Sequence, residues 1–205
     1  MLRFGPRTPE NNNMSTSPTI LAFAGSARKA SYNKKLIRIA ADAARAAGGE
    51  ATLIDLADYP LPIFNEDLES AEGLPANARK LKDLFLAHQG LLLSCPEYNS
   101  SITPLLKNAI DWVSRPVAGE SPLQCFDGKV AALLAASPGA LGGLRGLVTV
   151  RSILGNIKVM VLPDQFALSK ANEAFNDDGS LKDGKQMEIV GGIAKRLVES
   201  VRKMA

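Results

Sequence analysis

A chain of 205 residues, 46% of them hydrophobic, has enough apolar surface for one well-packed core, so a single domain is the default. Its formal charge of +3 comes from 24 basic residues interspersed with 21 acidic ones, and aromatics make up only 5%, which argues against a nucleic-acid surface. No apolar run approaches the roughly 20 residues of a membrane span, and Cys95 and Cys125 are too few for a disulfide framework and lack metal-ligand spacing.

The opening MLRFGPRTPENNNMSTSP has no apolar segment of the signal-peptide kind. It reads as a disordered extension over residues 1–17, with Met14 as an alternative start, ahead of one domain over 18–205. A reducing, cytoplasmic setting is expected.

Five short apolar runs follow: TILAFA at 19–24, ATLIDL at 51–56, GLLLSC at 90–95, KVAALLAA at 129–136 and KVMVLP at 158–163. Near-continuous apolar strands are the pattern of a parallel sheet covered on both faces. Helical periodicity fills the gaps. Leu36, Ile37, Ala40, Ala43, Ala44 and Ala47 form a stripe that Gly48-Gly49 stop. Further helices are expected over 75–88, from Pro104 with Thr103 as its cap, over 144–154, and over 185–203. Gly191-Gly192 interrupt the last of these at about 1 kcal/mol each, and close packing on the sheet would be one reason for them. Segments 64–75 and 172–184 read as polar connectors. Alternation of strands and helices gives a doubly wound five-stranded parallel sheet with helices on both faces. Ligands of such sheets bind at the carboxyl ends of the strands, so the loops after strands one, three and four are the places to look.

The first of these loops is GSARKASYN, Gly25 to Asn33. It leads into a helix start, where unpaired N–H groups favour Asp or Glu, yet it contains no acid and offers Arg28, Lys29, Lys34 and Lys35 around its end. Ser26, Ser31 and Asn33 add hydrogen-bond donors, and Arg28 a charge-assisted one. An external anion fits that composition, and one terminal monophosphate fits it best, because neither GxxxxGK[ST] nor GxGxxG is present. The plainer alternative is a serine-rich turn capped at Ser31.

GSARKASYN resembles the GS-x-R-x-x-S-x-N phosphate loop of the NAD(P)H-dependent FMN reductase family, the flavodoxin-like quinone and chromate reductases. PEYNSSITPLLKNAIDWVSR, 96–115, is similar to that family's PEYN followed by LKNAIDW, and SPGALGG, 137–143, resembles its third flavin loop. The likeness runs from about residue 19 to past 180. It implies a flavodoxin-like fold and an FMN site formed by Ser26, Arg28, Ser31, Tyr32 and Asn33 in the first loop. In the second it implies Pro96, Glu97, Tyr98 and Asn99, and in the third Ser137, Gly139, Gly142 and Gly143. Tyr98 would lie against the flavin ring, and the glycines would bring backbone N–H groups near it. Glu97 is expected to anchor its loop rather than to act as an acid or base.

The resemblance further implies hydride transfer from NADPH or NADH through FMN to a quinone, free flavin, azo compound or metal oxyanion such as chromate. It implies a homodimer, with pairing to a homotetramer, whose neighbouring subunit helps to wall the site. The cofactor carries the chemistry, so no catalytic side chain is expected. Two positions depart from the family pattern, Ser100 and Pro104, where glycines are common, which bears on the space above the ring. A flavodoxin-like electron carrier, or an FMN-binding sensor without a substrate of its own, is the alternative. The remaining polar candidates have structural expectations: a helix-end contact for His88, core or subunit contact for Trp112, loop roles for Asp55 and Asp58, and a helix face for Arg145 and Arg151.

Overall fold

The computed structural model describes residues 17–204; the expected N-terminal extension, with Met14, lies outside them apart from Ser17. Five parallel strands are present among the described residues: β1 (Thr19–Ala24), β2 (Glu50–Asp55), β3 (Gly90–Ser94), β4 (Val130–Ala136) and β5 (Met160–Leu168). Their spatial order is β2-β1-β3-β4-β5, which is the flavodoxin-like order and puts the reversal of winding between β1 and β3.

Alternate strand residues feed two separate cores, as a sheet covered on both sides requires. Ile20, Ala22, Ala24, Leu92, Ala132 and Leu134 face α1 (Tyr32–Ala46) and α6 (Gly184–Met204). Leu21, Phe23, Leu91, Leu93, Leu133 and Ala135 face α3 (Ala76–Ala87), α4 (Pro104–Val113) and α5 (Leu144–Asn156). The α1 stripe is mostly alanine, so the helix comes close to the sheet and to α6. It ends in a Schellman motif, with Gly49 N donating to Ala44 O at 3.0 Å and Gly48 N to Arg45 O at 2.9 Å. Thr103 caps α4 through Leu106 N at 3.2 Å, with Pro104 at the first helical position, as expected.

Four local expectations need correction. Segment 64–75 contains a helix, α2 (Glu66–Glu72), which has no buried residue and therefore no apolar stripe to betray it. Its signals are an Asn65 cap, accepting from Asp67 N at 2.8 Å, and three acids in its first turn. β5 extends five residues beyond the expected end at Pro163, through a bulge that shifts register between the Ala131–Val161 and Leu133–Gln165 pairs and contains Pro163. Arg151 does not lie idle on α5. It donates to Val161 O at 3.3 Å, to Leu162 O at 2.8 Å and to Gln165 Oε1 at 2.9 Å, along the irregular stretch of β5. Close packing does not explain Gly191 and Gly192, since a Cβ at either would meet nothing within 4 Å.

The remaining polar singletons are structural. His88 Nδ1 donates to Leu84 O at 2.6 Å in the last turn of α3, and Nε2 pairs with Thr52 Oγ1 at 2.8 Å. Trp112 is fully buried, donates to Pro62 O at 2.8 Å and meets Phe64 edge-on. Asp55 accepts from Ala57 N at 3.0 Å and pairs with Lys34.

Candidate functional site

Three loops leave the carboxyl ends of β1, β3 and β4, and hydrogen bonds tie them into one unit. Gly25 N donates to Ser94 O at 2.9 Å, and Gly25 O accepts from Thr103 Oγ1 at 2.7 Å. The first loop is thereby held to the end of β3 and to the cap of α4. Asn33 completes the tie. Its Nδ2 donates to Ala136 O at 2.8 Å, while its Oδ1 accepts from Ala136 N at 3.0 Å and Ser94 Oγ at 2.8 Å. Expected as a donor to phosphate, the Asn33 amide is instead spent inside the protein, where it fixes the start of α1 to the ends of two strands.

The start of α1 has the character of an anion site. Ser31 is its N-cap residue, yet the Ser31 side chain makes no cap hydrogen bond, and the first turn contains no acid. The Ser26 and Ser31 side chains belong to residues only 7% and 3% exposed, and the Ser26 hydroxyl accepts from Arg28 N at 3.3 Å. Two of the nearby cations are engaged: Lys34 pairs with Asp55 at 2.5 Å, and Lys35 lies over the Phe175 ring. Arg28 is exposed and rests over the ring of Tyr32, 5.3 Å from its centroid. A helix start with orphan N–H groups, two hydroxyls and one guanidinium that has no ion pair among the described residues fits a phosphate.

In the second loop, Pro96 is buried and leads to Glu97, whose carboxylate crosses to the third loop. It accepts from Arg145 N at 3.0 Å and Gly146 N at 3.3 Å, and pairs with the Arg145 guanidinium at 2.5 Å. Gly143, the N-cap residue of α5, has no side chain to offer, so Glu97 caps the helix from a neighbouring loop. Burial works against ionisation of Glu97, but the Arg145 and Gly146 donors outweigh it and hold the carboxyl below the usual range. Glu97 is thus an anchor, as expected, and Arg145 belongs to the site's framework rather than to an idle helix face. Beyond it, Tyr98 and Ser101 exchange backbone hydrogen bonds at 2.9 and 3.0 Å around Asn99 (φ 49°) and Ser100 (φ 66°). Two successive left-handed residues make a type I′ hairpin turn. Asn99 tolerates that conformation; Ser100 is strained in it.

The third loop closes on β5. Ser137 N donates to Leu168 O at 3.0 Å, and the Ser137 hydroxyl accepts from Gly139 N at 3.2 Å. Gly142 (φ 62°) lies so close to the Ala167 and Leu168 backbone that a Cβ would come within 2.7 Å, and a Cβ at Gly143 (φ 96°) would come within 2.9 Å of Ala135. These two glycines let the loop lie flat on the strand ends. Gly139 is exposed and under no such constraint. Tyr98 and Leu141, 55% and 50% exposed, are large apolar groups of the second and third loops. Cys95, at the root of the second loop, is fully buried, and burial pushes its thiol up to about 12, so it is an inert core group.

The donor set is of a kind that FMN would fit: an uncapped helix start suited to a phosphate, and glycine-lined backbone suited to a planar ring. Sequence reasoning missed Thr103 as a clamp between loops, Arg145 as the partner of Glu97, and Phe175. The sequence signal for the last was an aromatic residue inside an otherwise polar connector.

Comparison with known proteins agrees with this geometry. Residues 18–173 match the family described as NADPH-dependent FMN reductase. The chain is 35% identical over 193 residues to an NAD(P)H-dependent FMN reductase of Pseudomonas aeruginosa, covering 93% of this chain and 99% of that protein. It is 36% identical over 172 residues to a quinone reductase of Pseudomonas putida, covering 83% and 88%. Among solved structures, it is similar to FerB, a flavoenzyme NAD(P)H:(acceptor) oxidoreductase from Paracoccus denitrificans, with a TM-score of 0.77, 29% identity and coverage of 91% and 98%. With its flavodoxin-like sheet and its three joined loops, the chain is an oxidoreductase of the NADPH-dependent FMN reductase family.

Proposed function

We propose that this reductase binds FMN in the crevice of the three loops and delivers electrons to a quinone-type acceptor. The observation that carries the reading is the start of α1, acid-free and uncapped, with Ser26, Ser31 and Arg28 around it. Bound there, FMN supplies hydride acceptance from NADPH or NADH and its onward delivery. The first-turn N–H groups and the Ser26 and Ser31 hydroxyls hold the phosphate, and Arg28 neutralises it. Backbone groups of the 137–143 loop and of Pro96 to Asn99 would meet the ring, and Tyr98 would wall it. Glu97 is committed to capping α5 and takes no part in proton transfer.

The exposed apolar groups Tyr98, Leu141, Leu144 and Val148 support both a planar apolar acceptor and a homodimer seated over this mouth, with pairing to a tetramer. The relative named quinone reductase supports the same acceptor class. The two free, buried cysteines support a reducing, cytoplasmic location.

The test is anaerobic titration of the FMN-loaded protein with NADPH, followed in the visible spectrum, and then addition of a benzoquinone. Bleaching of the flavin band and its return with the quinone is the expected result. A band that persists with both nicotinamides overturns the reductase reading. FMN retained at parental tightness by the Arg28→Ala, Ser31→Ala double variant overturns the phosphate assignment.

A further inference from the structure

Arg28 belongs to a column of four side chains whose far end lies in a segment outside the three loops. Its guanidinium carbon is 5.3 Å from the Tyr32 ring centroid. The Tyr32 ring is stacked on Phe175, centroids 6.2 Å apart and planes within 6°. Lys35 Nζ lies over the second ring, 5.4 Å from the Phe175 centroid. Each ring of the aromatic pair thus has a cation over it, a contact the ring quadrupoles favour.

Phe175 is rigidly presented. It forms an antiparallel bridge with Leu181, a core residue, and Asn176 N donates to Ser180 O at 2.9 Å across the same hairpin. Lys182 N donates to Ala174 O at 2.9 Å, and Asp178 Oδ1 accepts from Ser180 N at 2.9 Å to close the tip. Arg28, by contrast, is in none of the ion pairs formed among the described residues. Its guanidinium rests instead on the Tyr32 ring face, which places a cation without neutralising it.

We infer that Phe175 is a positioning residue: through Tyr32 it pre-places the Arg28 guanidinium, and it thereby sets how strongly the site prefers a phosphorylated flavin over one without phosphate. This rests on the proposed phosphate role of Arg28. Placing the charge beforehand removes the ordering of a long side chain from the cost of binding, which raises affinity only for ligands that meet that charge.

The experiment measures dissociation constants of FMN and riboflavin for the apoprotein by flavin fluorescence, in the parent and in Phe175→Ala, Phe175→Leu, Phe175→Tyr and Arg28→Ala. The expected result is a loss of FMN affinity of about three- to tenfold in Phe175→Ala and Phe175→Leu, the size of one aromatic pair, with riboflavin unchanged within about twofold and Phe175→Tyr near the parent. In the Arg28→Ala background, Phe175→Ala should add no further loss, because its effect passes through Arg28. Equal weakening of both flavins, or unchanged FMN affinity, overturns the inference. If Arg28→Ala lowers the FMN preference and Phe175→Ala does not, the positioning role alone is wrong; if Arg28→Ala leaves the preference untouched, the phosphate assignment falls and takes this role with it.

Discussion

Asn33, the second residue of α1, makes two hydrogen bonds to one residue at the end of β4: its amide nitrogen donates to Ala136 O and its amide oxygen accepts from Ala136 N. With Ser94 Oγ as a third partner, the side chain joins α1, β3 and β4 at one buried point. Replacement by Ala leaves Ala136 and Ser94 with buried unpaired groups and should destabilise by about 2–4 kcal/mol. Urea unfolding checks this, and an Asn33→Ala variant within 0.5 kcal/mol of the parent, about the scatter expected of a neutral surface change, would refute it.

The Glu97 carboxylate combines a backbone cap with an ion pair, and the two differ in worth. Arg145 has a largely exposed side chain, so its charge contributes little, whereas the Arg145 and Gly146 N–H groups depend on the carboxylate. Glu97→Ala should therefore cost about 1–3 kcal/mol and Arg145→Ala under about 0.5 kcal/mol in chemical unfolding. Equal losses would contradict this ranking.

The same carboxylate predicts a pH dependence. Its folded-state pKa is depressed, so its contribution is fully present above the unfolded value of about 4.3 and is lost as pH falls through the lower folded value. The stability gap between the parent and Glu97→Gln should be constant from neutral pH down to about pH 5, then narrow toward the acid end. A gap that widens on acidification reverses the sign and defeats the assignment.

Ser100 sits in a left-handed conformation at the second turn position, where glycine carries no penalty. Ser100→Gly should stabilise by about 1 kcal/mol, or 2–4 °C in Tm. Thermal unfolding at matched FMN concentration reads the effect directly. A lower Tm would mean that the serine hydroxyl contributes more than its backbone costs.

Gly191 and Gly192 lie in the middle of α6 with open space where a Cβ would stand. Alanine at each should raise stability by about 1 kcal/mol. If either substitution instead lowers the Tm and dissociates an oligomer, that face of α6 is covered by a partner.

The layout of the fold was legible because a doubly covered parallel sheet writes its strands as unbroken apolar runs, and TILAFA, GLLLSC and KVAALLAA needed no alternation to be found. The caps of α4 and the stop of α1 were equally local. What escaped was either unburied or long-range. α2 buries nothing, and the last four residues of β5 follow a proline-containing bulge. The partners of Asn33 and Glu97 are 103 and 48 residues away in sequence, so the amide and carboxylate read as ligand groups or loop anchors of unknown partner. The polar connector 172–184 concealed Phe175 because one aromatic residue has no periodicity.

The bulge in β5 has a consequence for how molecules of this chain can meet. β5 is the outer strand on its side of the sheet, and an outer strand offers free N–H and C=O groups to any strand that drifts alongside. Here Pro163 has no N–H to give, the Val161 and Leu162 carbonyls already receive the Arg151 guanidinium, and the register shift bends the strand. A strand drifting alongside therefore meets an interrupted border, which works against a continuous cross-molecule ladder on one of the two open flanks of a chain this rich in apolar strands.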